Sequence, residues 1–238
     1  MKYPTKYIIW DLETTGLSPI NDYIVEIAAM VIDDGRVVGE FSTLLNNDVD
    51  IPAEAEAVHH ISKEMCAAQG IDPKVAILQL SKMIVDAGAC VTHNGTRFDA
   101  AFLTAHSARL GCADDVLSEI LAYHHFDTAA LYKGSRMAQE WNPESEMFRD
   151  YAIRILNERV PGLKYNVGVC CDTLGIDRSA TVQHRAMGDV ELTYEIFKKI
   201  TYGQTESSVR PEQTSFLAEE GSTPVSVVSQ VVDTKGWR

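Results

Sequence analysis

Acidic side chains stand at the ends of apolar segments at three separated places in the chain. Asp11 and Glu13 follow Tyr7-Ile8-Ile9-Trp10, Asp99 follows Val91-Thr92-His93-Asn94, and Asp189 follows His184 by five residues. Four carboxylates and one histidine from distant parts of a sequence suit phosphodiester cleavage by a pair of divalent ions. Such a pair sits about 3.5–4 Å apart, one ion activating water and the other stabilising the leaving oxygen, and needs converging carboxylate oxygens with a base nearby.

Each residue also has a plainer explanation. Asp11 and Glu13 are two apart, so on a strand they share a face and can chelate together; as residues beyond a strand end they would only make a turn. Asp99 lies one turn before Phe102 and Leu103 and shares their helical face, although an acid at a helix start also caps it. In the helix after His184, Ala186, Val190, Phe197 and Ile200 form one face and Asp189 falls on that apolar side. A carboxylate there costs several kcal/mol unless it is paired or metal-bound. His184 either points into the same cavity or serves as a capping or core histidine.

The elements that must position these groups follow from local pattern. Residues 6–10, 24–32 and 37–45 are β-rich, with Asp33-Asp34-Gly35 as a hairpin turn, which gives an antiparallel meander. Helical spacing runs over 73–87, a short strand over 89–92, a helix over 99–111, a strand near 121–126 and a closing helix over 184–200. Residues 133–160, polar and aromatic with Trp141-Asn142-Pro143-Glu144, read as an insertion. The expected fold is α/β, with a mixed central sheet flanked by helices. One domain spans 1–201, followed by a flexible tail, 202–238, rich in Gln, Thr, Ser, Glu and Val.

Composition narrows the function. With 238 residues, 45% of them apolar, the chain can bury a full core. No apolar run approaches the roughly 20 residues of a membrane span, and the start lacks a signal-like apolar stretch, so no membrane association and a cytoplasmic location are expected. Five cysteines in mostly apolar segments are expected as reduced core thiols. Gly-Lys-Thr/Ser is absent, which disfavours an NTPase; the His-His and Cys-Cys pairs lack zinc-ligand spacing, and no Gly-x-Ser-x-Gly supports a nucleophile. The net charge of −13 opposes tight unaided binding to a polyanion. An acidic nuclease is expected to depend on its metals at the phosphate, or on a partner that raises the local substrate concentration.

Taken together, Asp11-Leu-Glu-Thr-Thr-Gly16, His93-Asn-Gly-Thr-Arg-Phe-Asp99 and His184-Arg-Ala-Met-Gly-Asp189 resemble the three motifs of the DnaQ-like DEDDh 3′→5′ exonucleases. Val25-Glu26-Ile27, Val58-His59-His60-Ile61, Asp127-Thr128 and Leu174-Gly175-Ile176 resemble intervening phrases of that family. The resemblance covers about residues 6–200. It implies an RNase H-like fold, two Mg²⁺ or Mn²⁺ ions on Asp11, Glu13, Asp99 and Asp189, and His184 as general base. Arg185 occupies the place of the tyrosine in the family's other subclass.

Further expectations rest on the same resemblance. Thr14, Thr15 and Gly16 would approach the terminal nucleotide, Asn94 and Phe98 would shape the site, and nucleoside 5′-monophosphates would be released. Val160-Pro161-Gly162 and Tyr202-Gly203-Gln204-Thr205 resemble the proofreading ε-subunit branch serving bacterial DNA polymerase III. That branch implies single-stranded DNA 3′ ends as substrate and a replicative polymerase as partner. In the tail, Gln213-Thr-Ser-Phe216-Leu217 resembles a sliding-clamp-binding peptide, with an accidental Gln/Ser-rich string as the alternative. His60 departs from the glycine usual at its place. The alternatives are an exoribonuclease of the RNase T or oligoribonuclease type, and a catalytically silent RNase H-like adaptor, which would need none of the five catalytic residues.

Overall fold

A computed structural model describes residues 3–179, 181 and 185–202. Within them, β1 (Lys6–Thr14), β2 (Ile24–Asp33) and β3 (Arg36–Leu44) form the meander. Helices α1 (Ala53–His59), α2 (Lys63–Gln69) and α3 (Pro73–Ala87) lead to β4 (Cys90–Thr92). Then come α4 (Asp99–Arg109), α5 (Asp115–Tyr123), β5 (His125–Asp127), α6 (Thr128–Arg136), α7 (Phe148–Asn157), α8 (Val167–Leu174) and α9 (Ala186–Thr201). The five-stranded sheet has the order β3-β2-β1-β4-β5. Its β1–β2 and β2–β3 pairs are antiparallel, and its β1–β4 and β4–β5 pairs are parallel. This is the mixed, helix-flanked sheet of the expected RNase H-like fold.

β1 is central and buried on both faces, so its apolar run is continuous rather than alternating. Tyr7 and Ile9 pack with α6, α7 and α9 through Ala129, Tyr151, Val190 and Phe197. Ile8, Trp10 and Leu12 pack on the other side with Ile77 and Leu80 of α3, Phe102 of α4 and Leu117 of α5. Since side chains alternate across a strand, Asp11 and Glu13 continue the Tyr7–Ile9 face, towards the α9 layer. β1 runs on to Thr14. The two acids are therefore part of the strand and do not lie in a turn beyond its end.

The β2–β3 hairpin pairs Asp33 with Arg36. Its two turn residues, Asp34 and Gly35, have φ values of +49° and +74°, as the type I′ turn of a two-residue hairpin requires. α3 starts where Asp72 accepts from the Lys74 and Val75 amides, with Pro73 in the first turn.

The expected strand near 121–126 needs correction. Residues up to Tyr123 belong to α5, and the strand is His125–Asp127. Asp114 caps the Leu117 amide, and burial of Leu117 and Ile120, three apart, follows helical rather than alternating period. The segment 133–160, polar in overall composition, contributes to the core: Trp141, Phe148 and Tyr151 are buried in the layer that contains α9. The Trp141 Nε1–H donates to the Glu146 carbonyl at 3.0 Å, and Arg154 pairs with Glu146 at 2.5 Å.

Asp127, fully buried, ties β5 to the loop preceding α4. Its Oδ1 accepts from the amides of Asn94 at 2.9 Å, Ala129 at 3.0 Å and Ala130 at 3.2 Å, and its Oδ2 accepts from Thr96 at 3.1 Å. It thus caps α6 and shapes the turn that delivers Asp99. Asp127→Ala should cost about 3 kcal/mol, a lost cap plus two amides left without partners, read from the urea denaturation midpoint.

Candidate active site

The C-terminal half of β1, the start of α4 and the first turn of α9 meet at one place. One carboxylate oxygen from each of Asp11, Glu13 and Asp189 lies within 4.8 Å of the others. Asp99 approaches from the opposite layer, and its Oδ1 accepts from the Leu12 amide at 3.2 Å across the strand. The carboxylate also lies against Gly95, where an added Cβ would fall 2.7 Å from Asp99 Oδ2. A glycine is needed there for the close approach.

Electrostatics follow from this crowding. Burial, and then the charges of Asp99, Asp189, Glu13 and Glu26, push Asp11 well above the usual carboxylate range. Burial raises Glu13 to about 8, with Asp189, Glu26 and Asp99 adding and Arg185 opposing. Burial raises Asp99 to about 7, with backbone hydrogen bonds holding it lower than burial alone would. Carboxylates that resist ionisation together fit divalent cations, and an all-oxygen donor set suits hard ions of the magnesium or manganese kind.

Other expected site residues are distributed around this centre. The Thr14 hydroxyl donates to the Gly16 carbonyl at 2.7 Å, and the Thr15 hydroxyl accepts from the Tyr23 amide at 2.9 Å. Both hydroxyls thus hold the β1–β2 loop. Gly16 packs against the Asp22 carboxylate, which accepts from the Ser18 amide at 2.7 Å. Asn94, at φ +62°, is exposed and lines a groove of about 790 Å³ that also takes in His93, Lys164, Tyr165, Arg178 and Asp189. Phe98 is half-buried, with its ring centroid 4.8 Å from that of Phe102. His184 and the tail residues Gln213, Phe216 and Leu217 lie outside the described residues.

Several supporting residues carry no chemical signature in the sequence. Asp127 and Gly95 set the α4 entry, and His93 bridges the Thr128 hydroxyl and the Tyr165 carbonyl at 2.8 Å each. Arg109 stacks over Tyr23, 4.6 Å from the ring centroid, and donates to the Ile20 carbonyl at 2.5 Å, pinning the loop after Gly16. Glu26 holds Arg185. The quoted family phrases contain Asp127, Glu26, His93, Gly95 and Arg185 and are the available signal for them, whereas Arg109 has none. All five cysteines are free and four are buried, and burial pushes Cys90 and Cys170 up to about 12, which makes them poor nucleophiles.

A family model described as an exonuclease model, RNase_T, matches residues 8–197. The chain belongs to this exonuclease family, the DnaQ-like 3′→5′ group. The DNA polymerase III subunit epsilon of Pasteurella multocida is 24% identical over 208 residues, covering 85% of this chain and 70% of the relative. The PolC-type DNA polymerase III of Lacticaseibacillus paracasei is 32% identical over 109 residues, 46% of this chain but 7% of that polymerase. The chain therefore spans a small fraction of the PolC-type relatives. Among solved structures, product-bound exonuclease I has a TM-score of 0.65 at 18% identity, covering 84% of this chain and 44% of that one. The zinc-bound complex of E. coli exonuclease I with single-stranded DNA has a TM-score of 0.65 at 17% identity, covering 84% and 42%. These structures share the fold. No described helix is long and apolar enough to cross a membrane.

The raised carboxylates give a signed pH prediction for the metal-free protein. Between the ordinary values of 4.5 for Glu13 and 3.8 for Asp99 and their raised values of about 8 and about 7, the folded state binds protons that the unfolded state has released. Stability contributed by these groups therefore falls as pH rises through that window. In EDTA, Tm should be lower at about pH 8.5 than at about pH 6. Added Mn²⁺ should raise Tm more at the higher pH, because cations there need not displace protons. Equal Mn²⁺ shifts at both pH values would contradict the assignment.

Proposed function

We propose that this chain is a metal-dependent DEDDh 3′→5′ exonuclease that removes nucleoside 5′-monophosphates from single-stranded DNA 3′ ends, in a proofreading role during DNA replication. The observation that carries the chemistry is the convergence of Asp11, Glu13 and Asp189 within 4.8 Å on an exonuclease-family chain. Two divalent ions, Mg²⁺ or Mn²⁺, would supply Lewis acidity at the attacked phosphodiester and a nucleophilic water at neutral pH.

The chain's own residues divide the remaining work. Asp11, Glu13 and Asp189 would hold the cations, and Asp99, fixed through its Oδ1 by the Leu12 amide, would complete the set. His184 accepts a proton from the attacking water on a ring nitrogen. Water adds to phosphorus, the bond from phosphorus to the O3′ of the preceding nucleotide breaks, and that oxygen leaves, taking up a proton from solvent to become a 3′-hydroxyl. The backbone of Thr14, Thr15 and Gly16 meets the terminal nucleotide, since both threonine hydroxyls are engaged within the loop. Asn94 and Phe98 shape the site beside it.

The groove at Asp189 supports a nucleic-acid substrate. Lys164 lines it beside Asn94, together with Arg178, which is paired with Asp172 of the same groove at 2.7 Å, in a chain of net charge −13. With 34 acidic residues against 21 basic ones to hold a polyanion, a partner that delivers the 3′ end is favoured. The relative from Pasteurella multocida bears the name of a polymerase III subunit, which supports a replicative polymerase as that partner and a cytoplasmic location. We place the exonuclease domain at residues 1–201 and the partner-binding function in the tail, with Gln213, Phe216 and Leu217 contacting a sliding clamp.

Matched 5′-labelled single-stranded DNA and RNA, incubated with Mg²⁺, Mn²⁺ or EDTA, test this reading. DNA should shorten from its 3′ end only with metal. Faster loss of RNA would favour the exoribonuclease alternative, and no cleavage by folded protein would contradict the enzyme. Asp11→Asn should lower cleavage by at least about 10³-fold, while raising the metal-free Tm through relief of repulsion.

A further inference from the structure

A forked, part-buried ion pair adjoins the carboxylate cluster and belongs to none of its expected functional residues. The β1–β2 register sets Glu26 directly opposite Glu13. Cross-strand partners project from the same face, so two acids stand side by side, an arrangement that destabilises a sheet unless a cation intervenes. Glu26 is 2% exposed, which sharpens the requirement.

Arg185 meets it. Its Nη2 donates to Glu26 Oε1 at 2.6 Å, and its Nε lies 3.2 Å from Oε1 and 3.1 Å from Oε2. The Ala186 amide donates to Glu26 Oε2 at 3.0 Å. Both Glu26 oxygens are thus directed at the start of α9, and the residue acts as that helix's cap from 160 positions away in sequence. α9 has no side-chain cap of its own. A carboxylate at this end also complements the helix dipole.

Asp189 lies one turn into α9, and its amide donates to the Arg185 carbonyl at 3.2 Å. The contact between Glu26 and Arg185 therefore fixes the turn that carries one cluster carboxylate, relative to the strand pair that carries the other two. Arg185 is also the residue immediately after His184 in sequence. Its charge opposes the protonation of Glu13 that Glu26 promotes.

We propose that Glu26 and Arg185 are positioning residues for the metal centre, joining β2 to the first turn of α9 so that Asp189 meets Asp11 and Glu13 at cation-binding distance. The role rests on the exonuclease reading of the cluster. It requires arginine, because a lysine cannot span both Glu26 oxygens in a planar fork while leaving the Ala186 contact in place. Groups that orient metal ligands without touching the metal typically change affinity or activity by about 10–100-fold when removed.

The test uses the full chain with Arg185→Met, Arg185→Lys and the near-isosteric Glu26→Gln. Mn²⁺ affinity is measured by the electron paramagnetic resonance signal of the free ion, kcat and KM are measured on a short labelled oligonucleotide, and folding is checked by circular dichroism. Arg185→Met should weaken Mn²⁺ binding and lower kcat by about 10–100-fold, with KM for the oligonucleotide within about twofold. Arg185→Lys should recover part of both, and Glu26→Gln should fall between the wild type and Arg185→Met. Folded variants that bind Mn²⁺ and turn over like the wild type, with only a lower Tm, would overturn the proposal and leave a structural ion pair. A wild-type protein that binds Mn²⁺ without cleaving would defeat the exonuclease reading instead, and the Mn²⁺ affinities of the variants would still decide the positioning role. If the wild type neither binds nor cleaves, both fall.

Discussion

Mutual repulsion among crowded, partly buried carboxylates is the constraint around which this molecule is arranged. Asp11, Glu13, Glu26, Asp99 and Asp189 converge where β1 meets α4 and α9, and Asp11, Glu13 and Asp99 resist ionisation there. The protein satisfies some of them internally. Glu26 receives a guanidinium and a helix-start amide, and Asp99 receives the Leu12 amide. Asp11, Glu13 and, despite the Leu12 amide, Asp99 carry strongly raised proton affinities, the condition of groups shaped for a cation of higher charge. The sheet order follows the same need. A central strand with a helix layer on each face lets Asp99 approach from one layer and Asp189 from the other.

The acidic balance of the chain has a related meaning. A nuclease of net charge −13 cannot rely on a broad basic surface to gather its substrate. The Lys164 and Arg178 lining of the groove beside Asp189 is local. Attraction would thereby be concentrated at cations bound by the carboxylates and at Lys164, since Arg178 is paired with Asp172. Such an arrangement suits an enzyme whose substrate is presented to it, because presentation replaces affinity with effective concentration.

What the sequence disclosed depended on the range of the interaction involved. The β1 and β2 runs, the Asp34-Gly35 turn and α3 are set by neighbours a few residues away, and their patterns were readable in the chain. The helical end of α5 was misread because Ile120-Leu121-Ala122-Tyr123 is apolar throughout; only the burial of Leu117 with Ile120 reveals its period. The 133–160 segment looked detachable by composition, yet Trp141, Phe148 and Tyr151 are core residues, a fact that depends on tertiary packing. The carboxylates were legible because their chemistry is unusual on apolar faces. The pairing of Glu26 with Arg185 depends on the β1–β2 register and on the approach of α9, neither of which leaves a local trace. The engagement of the Thr14 and Thr15 hydroxyls within their own loop was hidden for the same reason.

Anomalous diffraction from crystals of the full chain soaked in Mn²⁺ would locate the cations themselves. The account predicts manganese peaks between β1 and α9, with oxygens of Asp11, Glu13 and Asp189 as ligands at about 2.0–2.4 Å. Well-ordered carboxylates with no manganese between them, or manganese bound only elsewhere on the surface, would contradict it.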